Sequence, residues 1–259
     1  MSAPLRERRS LSKEIAVCAV MTALLIGGQL AFSAVVGIEI VTVLLLTFSW
    51  SFGARSGVWT AVAFSLLRCL LWGFHPPAIA LYLLYYPAFA LLFGSLGSAR
   101  RAGGLSLPGL FAADILLSAV AAGCAFCAAT DFLKISMLEI GAIRVMLWAI
   151  FGCCCALLFL LNGAHILLAL RGQNARVRTL ATVAAVTALA AVCTVCFTLL
   201  DDVITPLYYG LEWGSAAFMT YFYGSFLALV PQTLCTIATV SLLFVPFTKT
   251  FDRIARRPA

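Results

Sequence analysis

Apolar runs separated by short polar gaps occupy almost the whole chain. Eight can be drawn, at 15–36, 40–53, 57–74, 78–98, 107–129, 143–170, 179–200 and 216–247. About 20 residues of α-helix, rising ~1.5 Å each, cross a hydrocarbon core of ~30 Å. The second and third runs are short for that task. The last is long enough to tilt strongly or to contain an interfacial turn, and Pro231 inside it could kink the helix. No internal repeat is evident, and the longest polar stretches are too short to fold alone as a soluble domain. The pattern therefore predicts an all-α, polytopic membrane bundle of about eight spans, forming one membrane domain over 1–259.

Composition removes the soluble alternative. The 259 residues are 63% hydrophobic and 10% charged, with mean hydropathy +1.07, against roughly 45–50% and 25% in soluble domains. The net charge of +7 does not point to nucleic acid, because the basic residues flank the apolar runs instead of forming one solvated face. With the N-terminus inside and eight spans, 14 of the 17 basic residues fall in the inner segments 1–14, 54–56, 99–106, 171–178 and 248–259. Six of the ten acids (Glu39, Asp131, Glu139, Asp201, Asp202 and Glu212) fall outside, with Lys134 and Arg144. That asymmetry follows the positive-inside rule and places both termini in the cytoplasm. The first run spans and lacks a small-residue cleavage pattern, so it reads as a retained helix. No G-x-x-x-x-G-K-[ST] loop is present, so any ATP hydrolysis belongs to another chain.

Two features carry candidate function. Ala19, Ala23 and Gly27 recur every four residues on the first helix, with Ala16 beside them, and form a small-residue stripe. Such a stripe lets a second helix approach closely, either from a partner or from elsewhere in the same chain. The second feature is polarity at membrane depth, which is expensive. Arg68 lies 13 residues beyond Arg55, or ~20 Å up its helix at ~1.5 Å per residue. It either snorkels or is paired, and Glu39 at the outer start of the second helix is a candidate partner. Trp72, His75, Tyr82, Tyr85 and Tyr86 share that outer level. Asp201, Asp202, Tyr208, Tyr209, Trp213 and Tyr221 gather at the outer end of the last two spans. These residues read either as an aromatic-lined pocket for a small planar ligand or as an interfacial aromatic belt with acidic loops.

Other chemistry lacks a foundation. The ten cysteines lie almost entirely within apolar runs, and the C-x-x-C pairs at Cys124/Cys127 and Cys193/Cys196 have no nearby His, Asp or Glu to complete a metal site. They read as packing residues outside any disulfide framework. His75 and His165 fall on opposite sides of the predicted membrane, against paired haem or zinc ligation. Asp114 reads as a relay acid, a near-interface acid or a partner of Arg100 or Arg101. No H-E-x-x-H or G-x-S-x-G occurs. The chain is expected to need no metal or cofactor and to catalyse no reaction.

Several short segments resemble a known family. They are Lys13-Glu14-Ile15-Ala16 leading into the alanine stripe, Gly37-Ile38-Glu39-Ile40-Val41-Thr42, and Phe52-Gly53-Ala54-Arg55-Ser56-Gly57. Trp72-Gly73-Phe74 and Tyr85-Tyr86-Pro87 follow. Near the end come Leu200-Asp201-Asp202-Val203-Ile204-Thr205-Pro206, then Pro231-Gln232 and Leu243-Phe244-Val245-Pro246. Together, 13–98 and 197–253 resemble the substrate-binding (S) components of energy-coupling factor transporters over about 140 of the 259 residues.

The resemblance implies a six-helix core that captures a vitamin or related micronutrient near the outer face of a prokaryotic cell membrane. It implies association with a membrane T component and two cytoplasmic ATPases, and toppling in the bilayer to release substrate inside. The family's A-x-x-x-A surface carries over to Ala19 and Ala23, with Ala16 and Gly27 as neighbours. The implied ligand site takes in Glu39, Arg68, Trp72, His75, Tyr82 and Tyr85, with Asp202 and Tyr208 near its gate. Eight runs against six helices imply an inserted hairpin at about 107–170, between N-terminal helices at 13–98 and a terminal hairpin at 179–253. A stand-alone secondary transporter of a small organic solute is the alternative, and it would need its own alternating access.

Overall fold

The computed structural model describes residues 11–34, 38, 40–73, 75–101, 107–130, 140–171 and 175–256. Among these there are nine helices and no strand. They are α1 (Leu11–Phe32), α2 (Val41–Phe52), α3 (Ala54–Trp72), α4 (Pro76–Arg101), α5 (Leu107–Ala129), α6 (Ile140–Arg171), α7 (Ala175–Tyr208), α8 (Ala216–Gly224) and α9 (Phe226–Arg256). In sequences this apolar, helices satisfy every internal backbone polar group without recourse to water. Five helices of the described chain are long and apolar enough to cross a membrane, within α1, α3, α4, α7 and α9. The architecture is that of a polytopic helical membrane protein.

The last apolar run is two helices, not one. The chain breaks at Ser225, whose carbonyl accepts from the amides of Ala228 and Leu229 and so opens α9. Pro231 does not end the helix, and α9 continues through both Pro231 and Pro246. At the other end of the bundle, Gly53 adopts φ +96° and links α2 directly to α3. A side chain there would meet the left-handed penalty, which glycine avoids.

Two apolar cores meet along α7. The first joins Met21 and Leu25 of α1, Val43, Leu46 and Phe48 of α2, and Ala61 and Phe64 of α3. It extends to Phe89 and Phe93 of α4, Val186 and Ala190 of α7, and Val240 and Phe244 of α9. The second joins Leu117 and Ala121 of α5 and Leu147, Ile150 and Cys154 of α6 to Ala188, Val192 and Val195 of α7 and Leu229 of α9. Thus α5 and α6 pack on each other and on α7, while α1–α4 close around α2. The helix α2 has ten of its 12 residues buried. It is ~18 Å long at ~1.5 Å per residue, too short to span alone, and it is enclosed by protein. By contrast α1 buries only Met21, Thr22 and Leu25 of its 22 residues.

All ten cysteines are free thiols. Cys154, with Cys124, Cys127 and Cys196 packed against the same cluster, fills the second core as small apolar residues do. Among the described residues no group of three or more His, Cys, Asp or Glu side chains could hold a metal ion.

Candidate functional site

The helices α3 and α4 form an antiparallel pair whose register is tied by Ser65, which donates from Oγ to the Tyr82 carbonyl at 3.0 Å. One turn along α3, Arg68 lays its guanidinium over the Tyr82 ring, 3.8 Å from Cζ to the centroid. Tyr82 stacks on Tyr86 with centroids 5.4 Å apart. Tyr85 and Phe197 of α7 lie 4.6 Å apart, and Phe197 is 5.5 Å from Tyr82. Phe64 meets Tyr86 edge-on at 5.1 Å. The result is an aromatic wall built by three helices with one cation on it.

Two guanidinium nitrogens of Arg68, Nε and Nη1, are buried and have no hydrogen-bond partner among the described residues. The cation–π contact compensates the charge in part, by roughly 2 kcal/mol when desolvated. It supplies no acceptor for the N–H groups, and an unsatisfied buried donor costs about 1–3 kcal/mol. A second orphan is the Oε1 atom of Gln29 on α1, also buried without a partner.

The other expected site residues are dispersed. Trp72 is 39% exposed at the end of α3, and His75 is exposed beside Gly73 in the α3–α4 turn. Tyr208 is exposed at the end of α7, its ring 5.7 Å from that of Tyr209. Glu39 lies outside the described residues, as does the side chain of His165. Asp114 is reached by the Asn162 amide at 3.5 Å. Arg68, Tyr82 and Tyr85 are the members of the expected set that the fold brings together.

Asp202 belongs to a different arrangement. Five residues past Phe197, it is rotated ~140° around α7 and faces α9. It is 5% exposed and accepts a hydrogen bond at 2.5 Å from Ser225 at the α8–α9 break. Below it Thr198 donates to Gln232 Oε1 at 3.3 Å, and Thr194 meets Thr236 at 3.1 Å. Thr194, Thr198 and Asp202 recur every four residues, so their partners form a polar seam between α7 and α9. On α8, outside the spanning helices, partial burial and the nearby Asp201 and Asp202 raise the Tyr221 phenol above its ordinary pKa.

The seam gives a direct expectation. Thr194→Val strands the Thr236 hydroxyl, whereas Thr194→Val with Thr236→Val removes both groups. The single change should cost more than the double, with a coupling of about 1 kcal/mol by double-mutant cycle. Additive effects would show that the two hydroxyls do not interact.

Sequence reasoning passes over Phe197 and Gln29. Phe197 is one apolar residue among many in α7 and carries no distinguishing signal. Gln29 carries the signal that singled out Arg68, a polar side chain within an apolar run. The residue is half-buried, and the dry position of its Oε1 follows from helical phase, on the same face as Leu25 and Thr22. No protein-family model, curated protein or solved structure matches the chain.

Proposed function

We propose that this chain is the substrate-capture subunit of an energy-coupling factor transporter. It takes up a vitamin-like micronutrient at the outer face of a prokaryotic cell membrane for import driven by a T component and two ATPases. In this reading α1–α4, α7 and α9 are the six-helix S-component core, and α5–α6 is an inserted hairpin on its flank. With α8 as an interfacial turn, the chain crosses the membrane eight times and both termini are cytoplasmic.

The observation that carries the reading is the position of the small-residue stripe. Ala16, Ala19, Ala23 and Gly27 are all exposed, and among the described residues nothing beyond the adjoining α1 backbone lies within 4 Å of a Cβ built on Gly27. Among the described residues the stripe is therefore not spent on packing within the chain, which supports a role in docking a second protein's helix. Arg68 over the tyrosine wall supplies the capture site, and the positive-inside charge pattern sets the orientation.

The test is to tag the C-terminus, extract the protein gently from its native membrane and identify the accompanying chains by mass spectrometry. A T component with two ATPases is the expected result. Recovery of none, in detergent that preserves a known complex, would overturn the assignment in favour of a solitary transporter.

A further inference from the structure

We propose that Gln29 of α1 and Arg68 of α3 are two polar walls of one binding site whose ligand is a small aromatic or heteroaromatic acid. The proposal rests on the capture-subunit reading and specifies the substrate class and a second binding residue.

The two orphaned groups share a depth. The N-terminal ends of α1 and α3 are joined where Ser56 donates to Glu14 Oε1 at 2.9 Å and the Cys18 thiol approaches the Ser56 carbonyl at 3.6 Å. From that tie the helices run in the same direction. Gln29 is 11 residues past Cys18 and Arg68 is 12 past Ser56, so at ~1.5 Å per residue they differ by only ~2 Å in depth. Eleven residues are three helical turns to within ~20°, so Gln29 emerges on the face by which Cys18 meets α3, while Arg68 is turned ~120° from Ser56, towards the bundle interior and Tyr82 of α4. Both side chains keep polar atoms dry and unpaired, a combination that native proteins rarely tolerate without a use.

The chemistry of the ligand follows from what is missing. Tyr82 covers one face of the Arg68 guanidinium, which leaves donors in its plane for an anionic oxygen. The half-buried Tyr82 and Tyr85, packed on Phe197, offer ring edges to the face of a planar π-system. The Gln29 amide can turn its NH2 to the anion or its oxygen to a ring donor. An anion without a ring would leave the aromatic wall idle, and a neutral ring would leave Arg68 orphaned.

Benzoate, benzamide and inorganic phosphate separate these contributions. Thermal unfolding of the purified full chain is followed with each probe at about 10 mM, the range suited to fragment-sized ligands. Benzoate should raise Tm by about 3 °C, with smaller shifts from phosphate and benzamide. The benzoate shift should vanish in Arg68→Met, fall by about half in Gln29→Leu, and vanish in Gln29→Glu, whose carboxylate repels the probe.

A second readout excludes a merely structural arginine. Removing orphaned donors relieves a cost, so ligand-free Arg68→Met should melt about 3 °C above the parent. A lower ligand-free Tm in Arg68→Met would overturn the proposal. So would no benzoate shift in the parent, an equal shift from benzamide or phosphate, or a benzoate shift that survives in Arg68→Met. None of these readouts involves a T component. Failure to recover coupling partners would therefore strike the capture-subunit reading without touching the benzoate result, and the converse also holds.

Discussion

Gly97→Ala is expected to lower Tm by roughly 10 °C, and Gly94→Ala to come close behind. A methyl group on Gly97 would overlap the carbonyl oxygen and Cα of Trp50, and one on Gly94 would overlap backbone atoms of Ala54. These are main-chain atoms at the α2–α3 junction, so no side-chain rotation relieves the overlap. The helix α4 must back away, and the tight join of α2, α3 and α4 opens. Trp50 then loses its seat, including its edge-on contact with Phe244 of α9, 5.3 Å between ring centroids. Overpacking against the backbone should cost about 3 kcal/mol.

The same substitution has an internal control. Gly27, Gly123 and Gly152 have open space where a methyl group would go. Alanine at these positions should be neutral or mildly stabilising, since it raises helix propensity by up to about 1 kcal/mol. Detergent size-exclusion profiles and Tm would separate the two groups. A wild-type Tm for Gly97→Ala would mean that α4 does not lie against the α2–α3 turn as described.

The second large effect concerns association. Replacing Ala19 and Ala23 together by leucine should reduce recovery of the proposed T component and ATPases more than tenfold. Stability of the isolated chain should stay within ~0.5 kcal/mol of the parent, as for exposed positions elsewhere. In lipid, helices associate through close packing and not by expelling water from apolar surfaces. A pair of isobutyl groups on the stripe holds the partner helix away and removes that packing along the whole contact. Undiminished recovery would show that the partner docks on another face of the bundle.

Much of the fold is legible because lipid solvent makes hydropathy so direct a reporter. Seven of the eight apolar runs correspond to single helices, with ends displaced by a few residues except at α7, which runs eight residues past the predicted end and takes Asp201, Asp202 and Tyr208 into the helix. The eighth divides at Ser225, and no local signal marks the place. Both flanks are equally apolar, Pro231 draws attention to the wrong residue, and the partner of the Ser225 hydroxyl is Asp202, 23 positions earlier. The short run at 40–53 shows the reverse failing. Length alone makes it a poor span, and only packing shows that other helices, and not lipid, surround it.

The candidate site is legible in the same uneven way. Arg68, Tyr82 and Tyr85 sit on two helices joined by a short turn, so sequence proximity nearly guarantees spatial proximity. Asp202, expected near the gate of the same site, shares their outer level in the predicted topology. Helical phase turns it instead toward α9. Phe197 joins the tyrosines through a long-range packing of α7 on α4 that no pattern in either segment announces.

The enclosure of α2 also constrains how the protein can be made. Its walls come from both ends of the chain, since α9 contributes Val240 and Phe244 to the same core. While the ribosome is still translating the middle of the protein, α2 has its hairpin partners but lacks the last of its neighbours. A 12-residue helix cannot satisfy the bilayer by itself, so the nascent bundle must wait, locally thinned or sheltered by the insertion machinery, until synthesis reaches α9. Completion of the core is thus among the final events of biogenesis, and a chain arrested before Phe226 would offer quality-control proteases an unfinished interior.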